Sequence, residues 1–114
     1  MSSRDDRLGL RDMRNHAREA VDMLGNSSRE ELKNNRMLQL ALTHLVEIVG
    51  EAANRVSREA QKTHHQIPWP FIIGMRNRLI HGYDLIDLDL LYDTITQDLL
   101  ELIVSLELII GEGE

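Results

Sequence analysis

The 114-residue chain contains no cysteine, which excludes a disulfide framework and a thiolate metal site and fits a reducing compartment. Aromatic residues are scarce: one Trp, one Phe and two Tyr against 42% hydrophobic residues, so a core has to be built from aliphatic side chains. No apolar run reaches the roughly 20 residues that span a bilayer. The opening MSSRDDRLGLRDMR is too polar for a secretory signal, and the expected location is the cytoplasm, with no membrane partner. Strand signals are missing, since no alternating Val/Ile/Thr run is bounded by hairpin turns. There is no G-x-G-x-x-G or Walker loop and no nucleophile elbow, so a conventional cofactor enzyme is not expected and no cofactor is assigned. Positive charge is in deficit, with 13 Lys and Arg against 19 Asp and Glu and a net charge of −6. That argues against coating nucleic acid through bulk electrostatics. It leaves room for a local cationic site, and Lys62, His64, His65, Arg76 and Arg78 give residues 62–81 a basic bias.

What the chain does have is helical periodicity. Its length suits one domain, residues 1–114, with a modest core that oligomerisation often completes. Over residues 4–24, Leu10, Met13, Ala17, Val21 and Leu24 recur at helical spacing, and Gly25-Asn26 ends the run with residues that tolerate a left-handed cap. Ser28 and Glu31 have capping-box spacing and restart a short helix. A long amphipathic helix over residues 35–61 carries Leu38, Ala41, Leu45, Ile48, Ala52 and Val56. THHQIPWP (63–70) interrupts it, because proline is tolerated in a first helical turn but not in a helix interior. A third helix is expected from Trp69 to His81 with Gly82 as its terminator, and a last one from Asp87 or Asp89, carrying Leu88, Leu91, Ile95, Leu99, Leu102, Leu106 and Ile109. The prediction is an all-α, up-and-down bundle of four main helices with a short fifth at 28–33. The segment LLELIVSLELII (99–110) is apolar on nearly every side. One face can pack on the bundle; the other suits an isologous homodimer interface.

Chemically able side chains concentrate in GMRNRLIHGYD (74–84), which holds Arg76, Asn77, Arg78, His81, Tyr83 and Asp84. Elsewhere the signals are weaker. His44, Glu47 and Glu51 share a broad helix face, but a carboxylate-bridged metal bundle needs Glu-x-x-His on two helices. Here the order is His-x-x-Glu without a second copy, so no metal site is assigned; His44 is expected at an edge of the core. His64-His65 reads as a solvated pair in a loop. Within 74–84, Asn77 and His81 are four apart and would share a helix face, with Asn77 orienting the imidazole. Arg76 would lie about 140° away round an ideal helix, so it converges with His81 more easily across a two-fold axis than within one chain. His81 would fall in the last helical turn, where the dipole favours its charged form, and histidine is the usual acid–base residue near neutrality. Arginine presents a planar fork to phosphate. A base, an acid and a cation suffice for RNA, which carries its own 2′-OH nucleophile. The same residues could also form a plain helix end with solvated charges, in a non-catalytic helical module that binds RNA or a partner protein.

Arg76, four residues, His81, one residue, Tyr83 resembles the signature of the HepT-like branch of HEPN ribonucleases. EIVGEAANRVS (47–57), IPWPFIIGMRNRLIHGYDLID (67–87) and TQDLLELI (96–103) resemble the same family in order and spacing, so the likeness covers residues 5–108. It implies an all-α homodimer with its cleft at the two-fold axis, cleaving RNA without a metal ion as the toxin of a toxin–antitoxin pair. It further implies an antitoxin partner, a MntA-like minimal nucleotidyltransferase that uses ATP to attach AMP to the motif tyrosine. Carried over by position, Arg76 and His81 are catalytic, Asn77 supports them and Tyr83 is the modified residue. Glu51, Asn54 and Arg78 are candidates for lining the cleft.

Overall fold

The computed structural model describes residues 3–83 and 85–113; Asp84 lies outside the described residues. The chain forms helices α1 (Arg4–Leu24), α2 (Arg29–Lys33), α3 (Arg36–Arg55), α4 (Arg58–Thr63), α5 (Trp69–Ile73) and α6 (Met75–Leu79). A two-stranded hairpin follows, β1 (Ile80–His81) and β2 (Leu85–Ile86), and then α7 (Leu88–Asp93), one π-helical turn (Thr94–Asp98) and α8 (Leu99–Gly113). The shortest dimension is 19 Å, about two helix diameters, so the bundle is two layers deep. Long α1 packs most extensively on α3 and then on α8.

Local chemistry accounts for the helix ends. Ser3 and Asp6 form a capping box on α1, and Ser28 and Glu31 form the expected one on α2. Gly25 stops α1 with φ +53°. The helix expected over 35–61 is divided at Val56, which is extended. The buried Asp6 carboxylate accepts the Ser57 backbone N–H (2.8 Å) and the Ser57 hydroxyl (2.8 Å). It thereby takes the N–H that a continuous helix would need, while Ser57 Oγ caps α4 at Ala60. The buried Gln61 carboxamide donates to the Val56 carbonyl at 3.0 Å, which satisfies it at the break.

The core is aliphatic, as the composition requires: Met13, Leu32, Leu42, Val46, Ile72, Met75, Leu79, Leu91, Ile95, Leu99 and Leu106 are fully buried. On α3 the buried face centres on Leu42, Leu45, Val46, Val49 and Ala53, and Leu38 and Ile48 sit at its edge. The helix is packed on one flank by α1 and on another by α5 and α6, so its buried face is wider than a single stripe. Gly50 marks the tight approach: a Cβ there would stand 3.1 Å from the Ile73 carbonyl oxygen and 3.3 Å from that of Ile72. Trp69 is buried, and its indole N–H donates to the His64 carbonyl at 3.1 Å.

The segment expected to be one helix from Trp69 to His81 differs. It breaks at Gly74 and ends at Leu79, and Ile80 is already extended. The Leu79 carbonyl, which a continuing helix would offer to Tyr83, accepts the Asp87 N–H at 2.7 Å instead. Ile80 pairs with Ile86 and His81 with Leu85. Gly82 turns the chain with φ +71°, a conformation that costs glycine little. Asp87 then caps α7 by accepting the Leu90 N–H at 3.0 Å, as expected for one of the two candidate caps. Arg29 pairs with Asp89 and Asp93 and lies 4.6 Å over the Tyr92 ring, tying α2 to α7. The last helix loosens into its π turn where the Thr96 hydroxyl donates to the Tyr92 carbonyl at 2.8 Å, a side-chain bond that competes with the backbone ladder.

A candidate site at the hairpin after α6

Two short elements position the singled-out side chains: α6 carries Arg76, Asn77 and Arg78, and the hairpin carries His81 and Tyr83. Arg76 leans towards α3. Its Nε stands 3.6 Å from Glu47 Oε2, and its Nη1 donates to Asn77 Oδ1 at 3.4 Å. The other Glu47 oxygen lies 3.3 Å from His44 Nδ1. All of these groups are exposed enough that the pairs contribute at most about 1 kcal/mol each; their effect is to set where the guanidinium stands. Arg76, Glu47, His44 and Tyr83 line an open recess of about 200 Å3 between α3 and the hairpin, with Leu40, Ile80 and Ile86 as its apolar walls.

His81 lies beside the recess rather than on its lining. In a two-residue strand successive side chains alternate, so His81 points opposite to Ile80, and its Nε2 stands 3.7 Å from Asp87 Oδ2. Asp87 thus serves two neighbours, the α7 N-terminus and the imidazole. The expected helical partnership of Asn77 with His81 does not form, because the helix ends between them; Asn77 contacts Arg76 instead. For the same reason His81 is not in a last helical turn. Within one chain Arg76 and His81 are held by different carboxylates, Glu47 and Asp87. Tyr83 is fully exposed at the hairpin turn.

Arg78 belongs elsewhere. Its guanidinium lies 4.0 Å over the Phe71 ring and donates to the Phe71 carbonyl at 2.7 Å, beside a separate cleft lined by Phe71, Ile72, Asp98, Glu101 and Leu102. Burial there pushes the Asp98 carboxyl above its ordinary pKa, and Glu101 adds to the effect. Arg78 thus contacts α5 and is not on the lining of the recess. Glu51 and Asn54 are exposed on α3, one and two turns beyond Glu47; they continue its face without reaching the recess lining. His44, expected at a core edge, is exposed. Glu47 and Asp87 were visible as acidic residues but not as partners of Arg76 and His81, because the first contact depends on the packing of α6 on α3 and the second on the hairpin that no sequence signal marked.

Around the site several large apolar side chains face solvent: Met37 is 83% exposed, Leu85 is 70% exposed and Leu40 is 48% exposed. Met37 and Leu40 are one turn apart on α3, and Leu85 is the strand partner of His81. A second exposed row, Leu100, Val104 and Leu108, runs along α8. It begins roughly 20 Å along the helix from Asp87 at about 1.5 Å per residue. Among the described residues, no helix is long and apolar enough to cross a membrane.

The family model described as Ribonuclease HepT-like matches residues 13–109. The chain is 29% identical over 109 residues to "Putative RNase MJ1380" of Methanocaldococcus jannaschii, covering 96% of this chain and 100% of that protein. It is also 29% identical over 85 residues to "Probable ribonuclease HepT" of Thermococcus cleftensis, covering 71% and 77% of the two chains. With "Putative RNase TTE0752" of Caldanaerobacter subterraneus it shares 30% identity over 82 residues, covering 72% and 73%. No solved structure gives a significant match.

Proposed function

We propose, since the chain belongs to the HepT-like ribonuclease family, that it is the toxin of a toxin–antitoxin pair and cleaves RNA internally with Arg76 and His81 and without a metal ion. The observation that carries the reading is that Arg76 and the solvent-facing Tyr83 line one recess, with His81 on the hairpin beside it. The substrate's 2′-oxygen attacks the adjacent phosphorus while an imidazole takes its proton. The bond from phosphorus to the 5′-oxygen breaks as a second imidazole protonates the leaving oxygen, which leaves a 2′,3′-cyclic phosphate and a 5′-hydroxyl. The guanidinium offsets the charge that grows on the non-bridging oxygens, where a placed donor is worth most.

One chain offers a single His81. A homodimer built on the apolar residues that surround the site supplies two, with two Arg76 side chains, in one shared groove. The exposed Met37, Leu40 and Leu85 support that interface.

Tyr83 is the proposed point of control. A nucleotidyltransferase antitoxin would transfer AMP from ATP to its hydroxyl, the phenolic oxygen attacking the α-phosphorus and pyrophosphate leaving, and the added phosphate would repel RNA from Arg76. Expression in cells tests both halves. Wild type alone should arrest growth, His81→Ala should not, and the partner should rescue wild type but fail to rescue Tyr83→Phe. Equal growth of wild type and His81→Ala, with both proteins accumulating, would sink the catalytic reading; rescue of Tyr83→Phe would sink the modification.

A further inference from the structure

Cleaving a phosphodiester needs a cation and proton carriers. The recess beside Arg76 holds more than that: apolar walls of Leu40, Ile80 and Ile86, and a carboxylate, Glu47, in its lining. We infer that the recess is a subsite for one nucleobase bearing an exocyclic amine, with Glu47 as the specificity-determining residue that selects against uracil; this rests on the ribonuclease reading above.

Size supports a single base. The recess holds about 200 Å3, below the roughly 300–1,000 Å3 typical of drug-sized ligands, which suits one ring system, with the rest of the strand outside it. Its surface chemistry fits an aromatic base as well. Apolar side chains face the ring, and the exposed Tyr83 at the mouth can stack on it, the contact that single-stranded RNA readers favour. The neighbouring Arg76 suits the phosphate of the same nucleotide.

Selectivity comes from Glu47. An ionised carboxylate only accepts hydrogen bonds, with about four lone-pair sites on its two oxygens. Its contacts with His44 at 3.3 Å and Arg76 at 3.6 Å leave lone pairs on both. Cytosine and adenine offer an amino group to such an acceptor, as in the pairing of Glu with the cytosine amine. Guanine offers its N1–H and N2 amine. Uracil presents one N–H between two carbonyl oxygens, which the carboxylate repels. A carboxamide at the same place donates as well as accepts, so Glu47→Gln should admit uracil at nearly unchanged side-chain volume.

Two measurements test this. Purified wild type and Glu47→Gln are given an RNA pool of randomised sequence, and the new ends are sequenced. Wild-type cut sites should be depleted of uridine about fivefold or more at one position next to the broken bond, the low end for a good base contact, and Glu47→Gln should reduce that depletion to below about twofold. Because the preference is a ratio, general slowing from a looser Arg76 does not mimic it. An unchanged preference in Glu47→Gln overturns the inference. Separately, cytidine and uridine 3′-monophosphates are titrated into each protein and followed by NMR at Ile80 and Ile86. Cytidine should bind wild type better, and the difference should vanish in Glu47→Gln. If wild type cuts no RNA yet shows that Glu47-dependent preference, the ribonuclease reading fails and the subsite stands. If wild type cuts RNA and neither preference depends on Glu47, the subsite alone falls.

Discussion

Arg76 and Arg78 are two residues apart, and the fold gives them different work. Arg76 stands against Glu47 in the recess, while Arg78 lies over Phe71 and clamps its carbonyl. Replacing Arg78 by Ala should therefore lower stability by about 0.5–1 kcal/mol, the scale of an exposed cation–π contact, and leave RNA cleavage within a few-fold of wild type. Denaturant unfolding and a cleavage assay on the same preparation check this. A loss of cleavage as large as that of Arg76→Ala at unchanged stability would return Arg78 to the cleft. At this scale the spacing in the sequence marked side chains that the fold keeps in one neighbourhood, but it did not show their partners. Arg76, His81 and Tyr83 are identifiable from residue type and spacing. The carboxylates holding the first two come from α3 and from the start of α7, and no local spacing rule connects them.

Among the elements, the helices of the bundle were legible because their signals are local: the capping box at Ser28, the stop at Gly25, and the apolar steps from Leu91 to Leu106. Several breaks were not, the one at Gly74 among them. The hairpin after α6 is too short to show alternation, and the division between α3 and α4 is imposed by a residue fifty-one positions away, Asp6. That long-range cap has a pH signature. Hydrogen bonds, chiefly from the Ser57 backbone N–H, hold the Asp6 carboxyl below its ordinary pKa, against an opposing effect of burial. A group depressed in the folded state stabilises the protein above its unfolded pKa of about 3.9 and loses that contribution as pH falls through the folded value. Asp6→Asn should therefore cost about 1–3 kcal/mol at pH 7, the range for hydrogen bonds to a charged or buried group. The difference from wild type should shrink below about pH 4. Unfolding curves at pH 7 and pH 3 measure both, and a difference that stays constant across the two would deny Asp6 this role.

The whole molecule is a two-layer helical protein whose candidate site residues sit beside an apolar, exposed surface formed by α3 and the hairpin. One chain holds Arg76 and His81 apart, on Glu47 and Asp87; in the proposed dimer a second copy seated on that surface completes the groove. Light or X-ray scattering at micromolar concentration should return the mass of a dimer of the 13.1 kDa chain, and Leu40→Glu with Leu85→Glu should shift it towards monomer and remove cleavage together. A monomer mass for wild type would refute the shared groove. The central claim, that His81 performs metal-free cleavage of RNA, is tested most directly by incubating purified wild type and His81→Ala with RNA in excess chelator and sequencing the ends. Wild type should leave 2′,3′-cyclic phosphates, and His81→Ala should be slower by about 10²–10⁴-fold, the usual contribution of general acid–base catalysis; equal rates for the two proteins would contradict the account.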